Sequence, residues 1–362
     1  MGATYEPRDI EVLEGLEPIR KRPGMYVGDL RDSRTVSRCI AEAVRTFLHT
    51  GASRVIVTIE DDTRFEIVGE DARVPADTLS LRTVFSTMHC GCECIRERRV
   101  FVEACNPAVT NALCEAFDVE ASADGARARV CWKKGVAVSD ERSDCSAARR
   151  MVRVRGALDL GIFGVNARIV ADELDALLDD LAVLAAGTRI HMLDARSGAT
   201  HEHHAPNGLV DRLVARGVAE PLLAHLARVD GTSLAIALGW VEDGPARVDA
   251  WAVGWWNQLR QDDLAPALVG TMATALLPER CLFEPGPGAR LPENVARGLV
   301  GAIAIDVGVG SKVGLDELVR EALEPVLAPY VLARPALLAQ LARNTGCTTE
   351  ELAARLDSRI PH

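Results

Sequence analysis

Residues 10–29 read IEVLEGLEPIRKRPGMYVGD, and this stretch is the most specific signal in the chain. At its centre, Arg20, Lys21 and Arg22 form the densest basic patch in the early part of the sequence. The patch is local, because the 362 residues carry a formal net charge of −11. A surface that wraps nucleic acid is expected to show a basic stripe, so the overall charge argues against that class of protein.

The residues that follow combine a helical pattern with an extended one. Residues 35–50 place apolar side chains at helical spacing, which predicts an amphipathic helix. Residues 54–60 (RVIVTIE) and 64–68 (RFEIV) predict two strands, and the Asp-Asp-Thr between them predicts a hairpin turn. A helix, a hairpin and further helices indicate a domain of the α+β class.

The second half of the chain repeats both patterns. Leucines recur at three and four residues between Leu174 and Leu184, with Gly187 as the expected helix cap. Residues 188–193 then predict a strand, and residues 194–198 (DARSG) predict a hairpin turn.

The C-terminal region predicts a buried strand followed by helices. Residues 299–307 (LVGAIAIDV) have the continuous apolar character of a buried strand. The helix after it contains Pro325 and Pro329, which are expected to disturb it because proline lacks a backbone N–H. Thr348 and Glu351 match a capping box, which predicts the start of a final helix.

Length and composition predict two domains. The polar stretch at residues 138–150 (VSDERSDCSAARR) places the boundary between residues 145 and 146, with domains at 1–145 and 146–345 and a C-terminal helix at 346–362. No apolar run approaches the length of about 20 residues that spans a bilayer, and no secretory signal begins the chain. We therefore expect a cytoplasmic protein whose ten cysteines are reduced thiols.

Residues 16–29 are similar to the N-terminal signature of DNA gyrase B and topoisomerase IV ParE subunits. The resemblance continues at lower fidelity over almost the whole chain. It implies a GHKL (Bergerat) α/β sandwich that binds ATP, followed by a transducer domain with a ribosomal-protein-like fold. It also implies a dimer that closes a gate on DNA when ATP binds. The family's toprim domain and C-terminal DNA-wrapping region are expected to be missing.

The resemblance assigns two positions to the hydrolytic chemistry. Glu42 stands where the family has the general base that takes a proton from the attacking water, and a solvated helix glutamate is the alternative. Thr46 stands where the family has an asparagine that ligates Mg²⁺, and Arg45 replaces an acidic neighbour. Because a guanidinium opposes a divalent cation, we expect weak Mg²⁺ binding at Thr46.

The resemblance also assigns the adenine and phosphate contacts. Glu70 and Asp71 fall where an aspartate accepts the adenine amino hydrogen, but the motif has lost both of its glycines, one of them to Ala72. Residues 100–106 (VFVEACN) align with the glycine loop, whose backbone N–H groups wrap the triphosphate.

The aligned phosphate loop contains no glycine. Glu103 adds a negative charge, and the backbone-contact positions are Ala104, Cys105 and Asn106. The altered loop is expected to bind a triphosphate poorly.

Two further contacts are implied from elsewhere in the chain. Lys312 matches only the lysine of the family's Gln-Thr-Lys loop, which reaches the γ-phosphate, and a surface lysine is the alternative. Tyr5 falls where the family's swapped N-terminal arm places a nucleotide-contacting tyrosine, and dimer packing is the alternative.

Two histidine-containing clusters could bind metal. The first is a set of alternating thiols beside a histidine, namely His89, Cys90, Cys92 and Cys94. One residue between thiols is shorter than the usual zinc spacing, which favours a free-thiol loop. His201 and His203 share one face of a predicted strand, and packing is the preferred interpretation over shared metal ligation.

The substitutions at the Mg²⁺, adenine and phosphate positions all affect the binding of one ligand, ATP. Their effects therefore compound, and efficient ATP hydrolysis is not expected. The first hypothesis is a degenerate gyrase-B-like homodimer that needs no cofactor and acts by binding gyrase, a topoisomerase subunit or DNA. The alternative is a divergent ATPase that binds ATP and Mg²⁺, hydrolyses slowly and needs a separately encoded toprim and cleavage partner. A metal or thiol sensor is a third hypothesis.

Overall fold

The structure is a computed structural model that describes residues 13–87, 106–146, 149–228, 231–253, 261–276, 296–306 and 314–360. The chain divides into two compact units, Met1–His204 and Ala205–His362. Each unit has its own sheet and its own hydrophobic core.

The first unit is built from helices around one eight-stranded sheet. In chain order its described elements are α1 Glu17–Lys21, α2 Gly24–Val27, α3 Arg34–His49, β1 Arg54–Ile59, β2 Arg64–Glu70, α4 Thr78–Ser86, α5 Pro107–Ala112, β3 Cys114–Ala123, β4 Ala126–Lys133, β5 Val136–Asp144, β6 Met151–Leu158, α6 Leu160–Phe163, α7 Ala171–Leu184, β7 Arg189–Asp194 and β8 Ala199–His204. The predicted hairpins over residues 54–68 and 188–204 are both confirmed.

The eight strands lie in the order β5-β4-β3-β6-β2-β1-β7-β8. Neighbouring strands are antiparallel except β1 and β7, which run parallel with Val57 opposite Met192. Residues alternate between the two faces of each strand, so Val55, Val57 and Ile59 of β1 all point to one buried face. Helices α3, α4, α5 and α7 pack against this face and enclose the first core.

A glycine lets α3 approach the sheet closely. A Cβ at Gly69 of β2 would lie 2.9 Å from Cγ of Phe47 on α3, closer than two carbon atoms can pack. Phe47 itself is fully buried in the first core. The contact fixes α3 over the end of β2, and α3 carries Glu42 and Thr46.

The N-terminal stretch is anchored to the first core from residue 16 onwards. Leu16 and Ile19 are buried there. The Arg20 guanidinium donates to the Asp159 carboxylate at 2.5 Å and to the backbone carbonyl of Ala112 at 2.6 Å. Three distant parts of the chain are therefore joined at one arginine.

The boundary between the units lies at residues 204–205, whereas the sequence predicted it at residues 145–146. The difference arises because β6, α7, β7 and β8 all belong to the first sheet or to its core. β6 lies between β3 and β2 in the middle of that sheet. A division before β6 would cut the first core.

The second unit contains a four-stranded sheet in the order β11-β12-β10-β9. Its described elements are α8 Leu209–Ala215, β9 Leu222–Ala227, β10 Ser233–Trp240, β11 Arg247–Val253, α9 Gln261–Leu276, β12 Leu299–Asp306, α10 Leu315–Leu332, α11 Pro335–Thr345 and α12 Thr349–Asp357. Every residue of β12 is buried, as its continuous apolar sequence predicted.

Proline does not interrupt the helix at residues 315–332. α10 is continuous although Pro325 and Pro329 both lie inside it, so the expected disturbance did not occur. The helix buries Leu323, Leu327 and Val331 in the second core, and we attribute its continuity to this packing. The predicted capping box at the start of α12 is confirmed, since Thr348 and Glu351 exchange hydrogen bonds with each other's backbone N–H.

No single helix among the described residues is long and apolar enough to cross a membrane. Only together do α10 and α11 have the length and apolar composition of a membrane span, and they are bent by 109° at the break between them. Leu318, Leu323 and Val331 of α10 are buried inside the second core.

Candidate functional site

Glu42 lies in the middle of α3 and is engaged through both of its carboxylate oxygens. The Arg45 guanidinium donates a short hydrogen bond to Oε1, and the pair is about four-fifths buried, with exposed side-chain fractions of 20% and 21%. The backbone N–H of Asn106 approaches Oε2 at 3.4 Å. Both carboxylate oxygens of Glu42 therefore accept hydrogen bonds from the protein itself.

Thr46, one turn further along α3, is fully buried. Its hydroxyl donates to the backbone carbonyl of Glu42 at 3.1 Å, so the side chain bonds within its own helix. Because the side chain is fully buried, its hydroxyl oxygen is not open to a metal ion from solution.

α5 is fastened beside Glu42 by buried polar contacts. The Thr110 hydroxyl donates to the backbone carbonyl of Cys39 on α3 at 2.7 Å. The Asn111 side-chain amide donates to the backbone carbonyl of Phe85 on α4 at 2.8 Å. These contacts bring Asn106, which precedes α5, next to Glu42.

Cys39 lies one turn before Glu42 and is completely buried. Burial, reinforced by the nearby charge of Glu42, raises the pKa of the Cys39 thiol to about 12. The thiol therefore stays protonated at neutral pH and behaves as a small apolar group.

Glu70 is the last residue of β2 and Asp71 follows it, and both side chains are engaged away from Glu42. Phe65, Ile67 and Gly69 face the helices, so strand alternation directs Glu70 to the opposite face of the sheet, where its carboxylate lies 3.7 Å from the Arg54 guanidinium.

Asp71 adopts φ +63°, a backbone conformation that glycine usually supplies and aspartate tolerates. Its carboxylate accepts a hydrogen bond from the Ser53 hydroxyl. The structure thus brings Glu42, Thr46 and Asn106 together, and it gives Glu70 and Asp71 partners of their own.

Several predicted site residues lie outside the described part of the chain. They are Tyr5, His89, Cys90, Cys92, Cys94, Ala104, Cys105 and Lys312. Their roles stay predictions. Among the residues that the structure does describe, no group of three or more His, Cys, Asp or Glu side chains could hold a metal ion.

Sequence reasoning missed the ion pair between Glu42 and Arg45. It treated Arg45 only as a charge that opposes Mg²⁺. The signal that could have revealed the pair is the spacing, because side chains three residues apart lie on the same face of a helix.

Relatives of known function match the chain at moderate identity. The B subunit of DNA topoisomerase IV from Caulobacter vibrioides is 28% identical over 275 residues, which are 70% of this chain. The B subunit of DNA gyrase from Streptococcus pyogenes is 28% identical over 216 residues, which are 55% of this chain. The chain is a homologue of the B subunits of DNA gyrase and topoisomerase IV. No protein-family model matches the sequence.

The homologous region is only part of these relatives. The matched residues span 38% of the Caulobacter protein and 33% of the Streptococcus protein. Similarity over this part does not by itself show that the chain has the activity of the complete relatives.

Solved structures share the fold over nearly the full chain. The 43K ATPase domain of Thermus thermophilus gyrase B, solved with an aminocoumarin, aligns with a TM-score of 0.70 at 17% identity, over 95% of this chain and 96% of that one. The gyrase B protein from Myxococcus xanthus aligns with a TM-score of 0.69 at 23% identity, over 91% and 99% of the two chains. The predicted α+β class and GHKL-type fold are confirmed.

Proposed function

We propose that this chain is a gyrase-B-like binding module in DNA topology that has lost efficient ATP hydrolysis. The observation that carries the proposal is the ion pair between Glu42 and Arg45 at the general-base position. In the proposed state the carboxylate neutralises an internal guanidinium and is not available to activate water.

The described residues on α3 do not fit the magnesium ion of a bound triphosphate. The Thr46 hydroxyl is fully buried, and the Arg45 guanidinium adds positive charge where a dication would have to sit. Mg²⁺ prefers several oxygen ligands in near-ideal octahedral geometry, and it is usually held by carboxylates and phosphates. We therefore assign no catalytic step to ATP or Mg²⁺ in this chain.

The module would act by binding. The resemblance favours a homodimer that works on gyrase, on another topoisomerase subunit or on DNA in the cytoplasm. The formal net charge of −11 favours a protein partner over an extended nucleic-acid surface. Light scattering of the purified protein measures the proposed dimer directly.

Titration calorimetry with a nonhydrolysable ATP analogue and Mg²⁺ tests the loss of nucleotide binding. We expect no binding heat above that of dilution. In parallel, phosphate release is compared between the native protein and Glu42→Ala, which removes only the carboxylate at the base position. Equal background rates agree with the proposal. Saturable binding together with release that depends on Glu42 would refute it.

One observation favours the alternative of a slow ATPase with a separately encoded toprim and cleavage partner. Glu42 is retained on α3, and its side chain keeps an exposed fraction of 20%. If Arg45 moved aside, Oε1 of Glu42 would be released to accept a proton from water. The alternative predicts that Glu42→Ala abolishes phosphate release and leaves binding of the ATP analogue intact.

A further inference from the structure

The edge strand β8 is attached to the first unit without large apolar side chains. Its sequence is ATHEHH, and most of its residues are exposed. Among the described strands, it pairs with β7 alone. A strand of this composition gains little from hydrophobic burial, so polar contacts must supply much of its attachment.

Those polar contacts run from β8 to two aspartates on α7. Nε2 of His203 lies 2.7 Å from Oδ1 of Asp175, and Nδ1 of His203 lies 3.4 Å from Oδ1 of Asp179. Nδ1 of His201 lies 3.0 Å from the second oxygen of Asp175. His203 is the enclosed member of the group, with an exposed side-chain fraction of 11%.

The geometry favours a protonated His203. A neutral imidazole has one N–H and one lone pair, whereas both ring nitrogens of His203 face carboxylate oxygens. Hydrogen bonding to Asp179, which outweighs the opposing effect of burial, raises the pKa of His203, and Asp175 adds to the increase. The other titratable or charged groups on the three elements are Asp172, Glu173 and Asp180 of α7, Arg189, His191 and Asp194 of β7, and His201, Glu202 and His204 of β8.

We propose that His203, Asp175 and Asp179 form a pH-sensitive fastening that holds the edge strand β8 on α7 and releases it when the imidazolium loses its proton. Loss of the proton leaves one ring nitrogen with its lone pair against a carboxylate oxygen, which is repulsive. β8 ends at His204, and Ala205 begins the second unit, so the fastening acts on the last strand of the first unit.

The direction of the pH effect follows from the raised pKa of His203. The stabilisation is fully present below the ordinary histidine pKa of 6.5 and is lost as the pH rises through the raised value. β8 should therefore be held in mildly acidic solution and loosened in alkaline solution.

Hydrogen exchange on the full chain, in buffer with a metal chelator, tests the fastening. Protection factors for residues 199–204, corrected for the intrinsic effect of pH, are measured from about pH 5.5 to about pH 9. We expect them to fall about fivefold as His203 deprotonates, which corresponds to about 1 kcal/mol. A histidine NMR titration of the same sample identifies the pH at which His203 changes charge.

Two glutamine substitutions separate the fastening from a general effect of charge on β8. His203→Gln should show low protection of β8 at every pH and no remaining pH step. His204→Gln, the neighbouring residue on the opposite face of the strand, should behave like the native protein. The proposal fails if His203 titrates at or below the ordinary value, or if the pH step survives in His203→Gln.

Discussion

Arg20, in the N-terminal stretch, is bonded to Asp159, a carboxylate with only 3% of its surface exposed. Burial by itself would raise the pKa of Asp159, but hydrogen bonds from Arg20 and from the backbone N–H of Gly161 hold that pKa below its usual value. The carboxylate is thus kept charged inside the first unit. Removing its partner would leave a buried charge without compensation.

We predict that Arg20→Met lowers the free energy of unfolding by about 3 kcal/mol at neutral pH, because a buried carboxylate loses its partner. The lowered pKa of Asp159 gives stability that is present above the ordinary value of 3.8 and is lost as the pH falls through the folded value. Denaturant unfolding at neutral and acidic pH should therefore show a smaller difference between variant and native protein in acid.

Arg22→Met is the matched control, because Arg22 belongs to the same basic triplet and is exposed. Its effect should stay within about 0.5 kcal/mol, as is usual for surface substitutions. If both variants lost the same free energy of unfolding, the bond from Arg20 to Asp159 would contribute no more stability than the exposed Arg22 does.

At the candidate site, the sequence predicted positions better than it predicted contacts. Glu42 and Thr46 do lie together on α3, as the helical pattern over residues 35–50 implies. The side-chain orientation of Glu70 was not foreseen, because it depends on where β2 ends and on which strand face the helices cover. These are properties of the sheet, and no local pattern encodes them.

At the scale of elements, structures formed between neighbouring segments of the chain were predicted correctly. The β1–β2 hairpin follows from two runs rich in β-branched and aromatic residues on either side of a short polar turn, and Asp61 closes that turn by accepting hydrogen bonds from the backbone N–H groups of Thr63 and Arg64. The central position of β6 was not predicted. β6 pairs with β2 and β3, which lie far from it in the chain, and its own sequence does not specify these partners.

Gly156 of β6 lies opposite Phe65 of β2, and a Cβ at Gly156 would come within 2.3 Å of Cζ of Phe65. We predict that Gly156→Ala destabilises the protein by about 1–3 kcal/mol, because the buried ring has to move within a packed core. Thermal unfolding measures the change.

Gly270→Ala on α9 is the control for the Gly156 variant. A Cβ there meets no atom within 4 Å, and alanine favours a helix more than glycine does. This variant should be neutral or stabilised by up to about 1 kcal/mol. A neutral Gly156→Ala would show that β6 and β2 pack more loosely than the structure describes.

At the scale of the whole molecule, the domain boundary was predicted 59 residues too early, at 145 where the units divide at 204. The polar stretch that suggested a linker includes most of β5, an edge strand with nearly every residue exposed. An edge strand with little buried surface and a linker have similar composition. Only the pairing of β5 with β4 distinguishes them.

The two cores lead to a prediction about cooperativity. Leu178 of α7 is buried in the first core and Leu323 of α10 in the second, and both are at most 1% exposed. Each leucine-to-alanine substitution should cost about 2–5 kcal/mol through lost burial and the cavity that remains. Because the cores are separate, we expect each cost to fall on its own unit.

Hydrogen exchange measured by mass spectrometry can assign the loss to a unit. Leu323→Ala should lower the protection of the sheet formed by β9–β12 and leave that of β1, β2 and β6 unchanged, whereas Leu178→Ala should do the reverse. If either substitution lowers protection equally in both sheets, the chain unfolds as one cooperative body. In that case a disturbance in the first unit, including release of β8, would also lower the protection of the second unit.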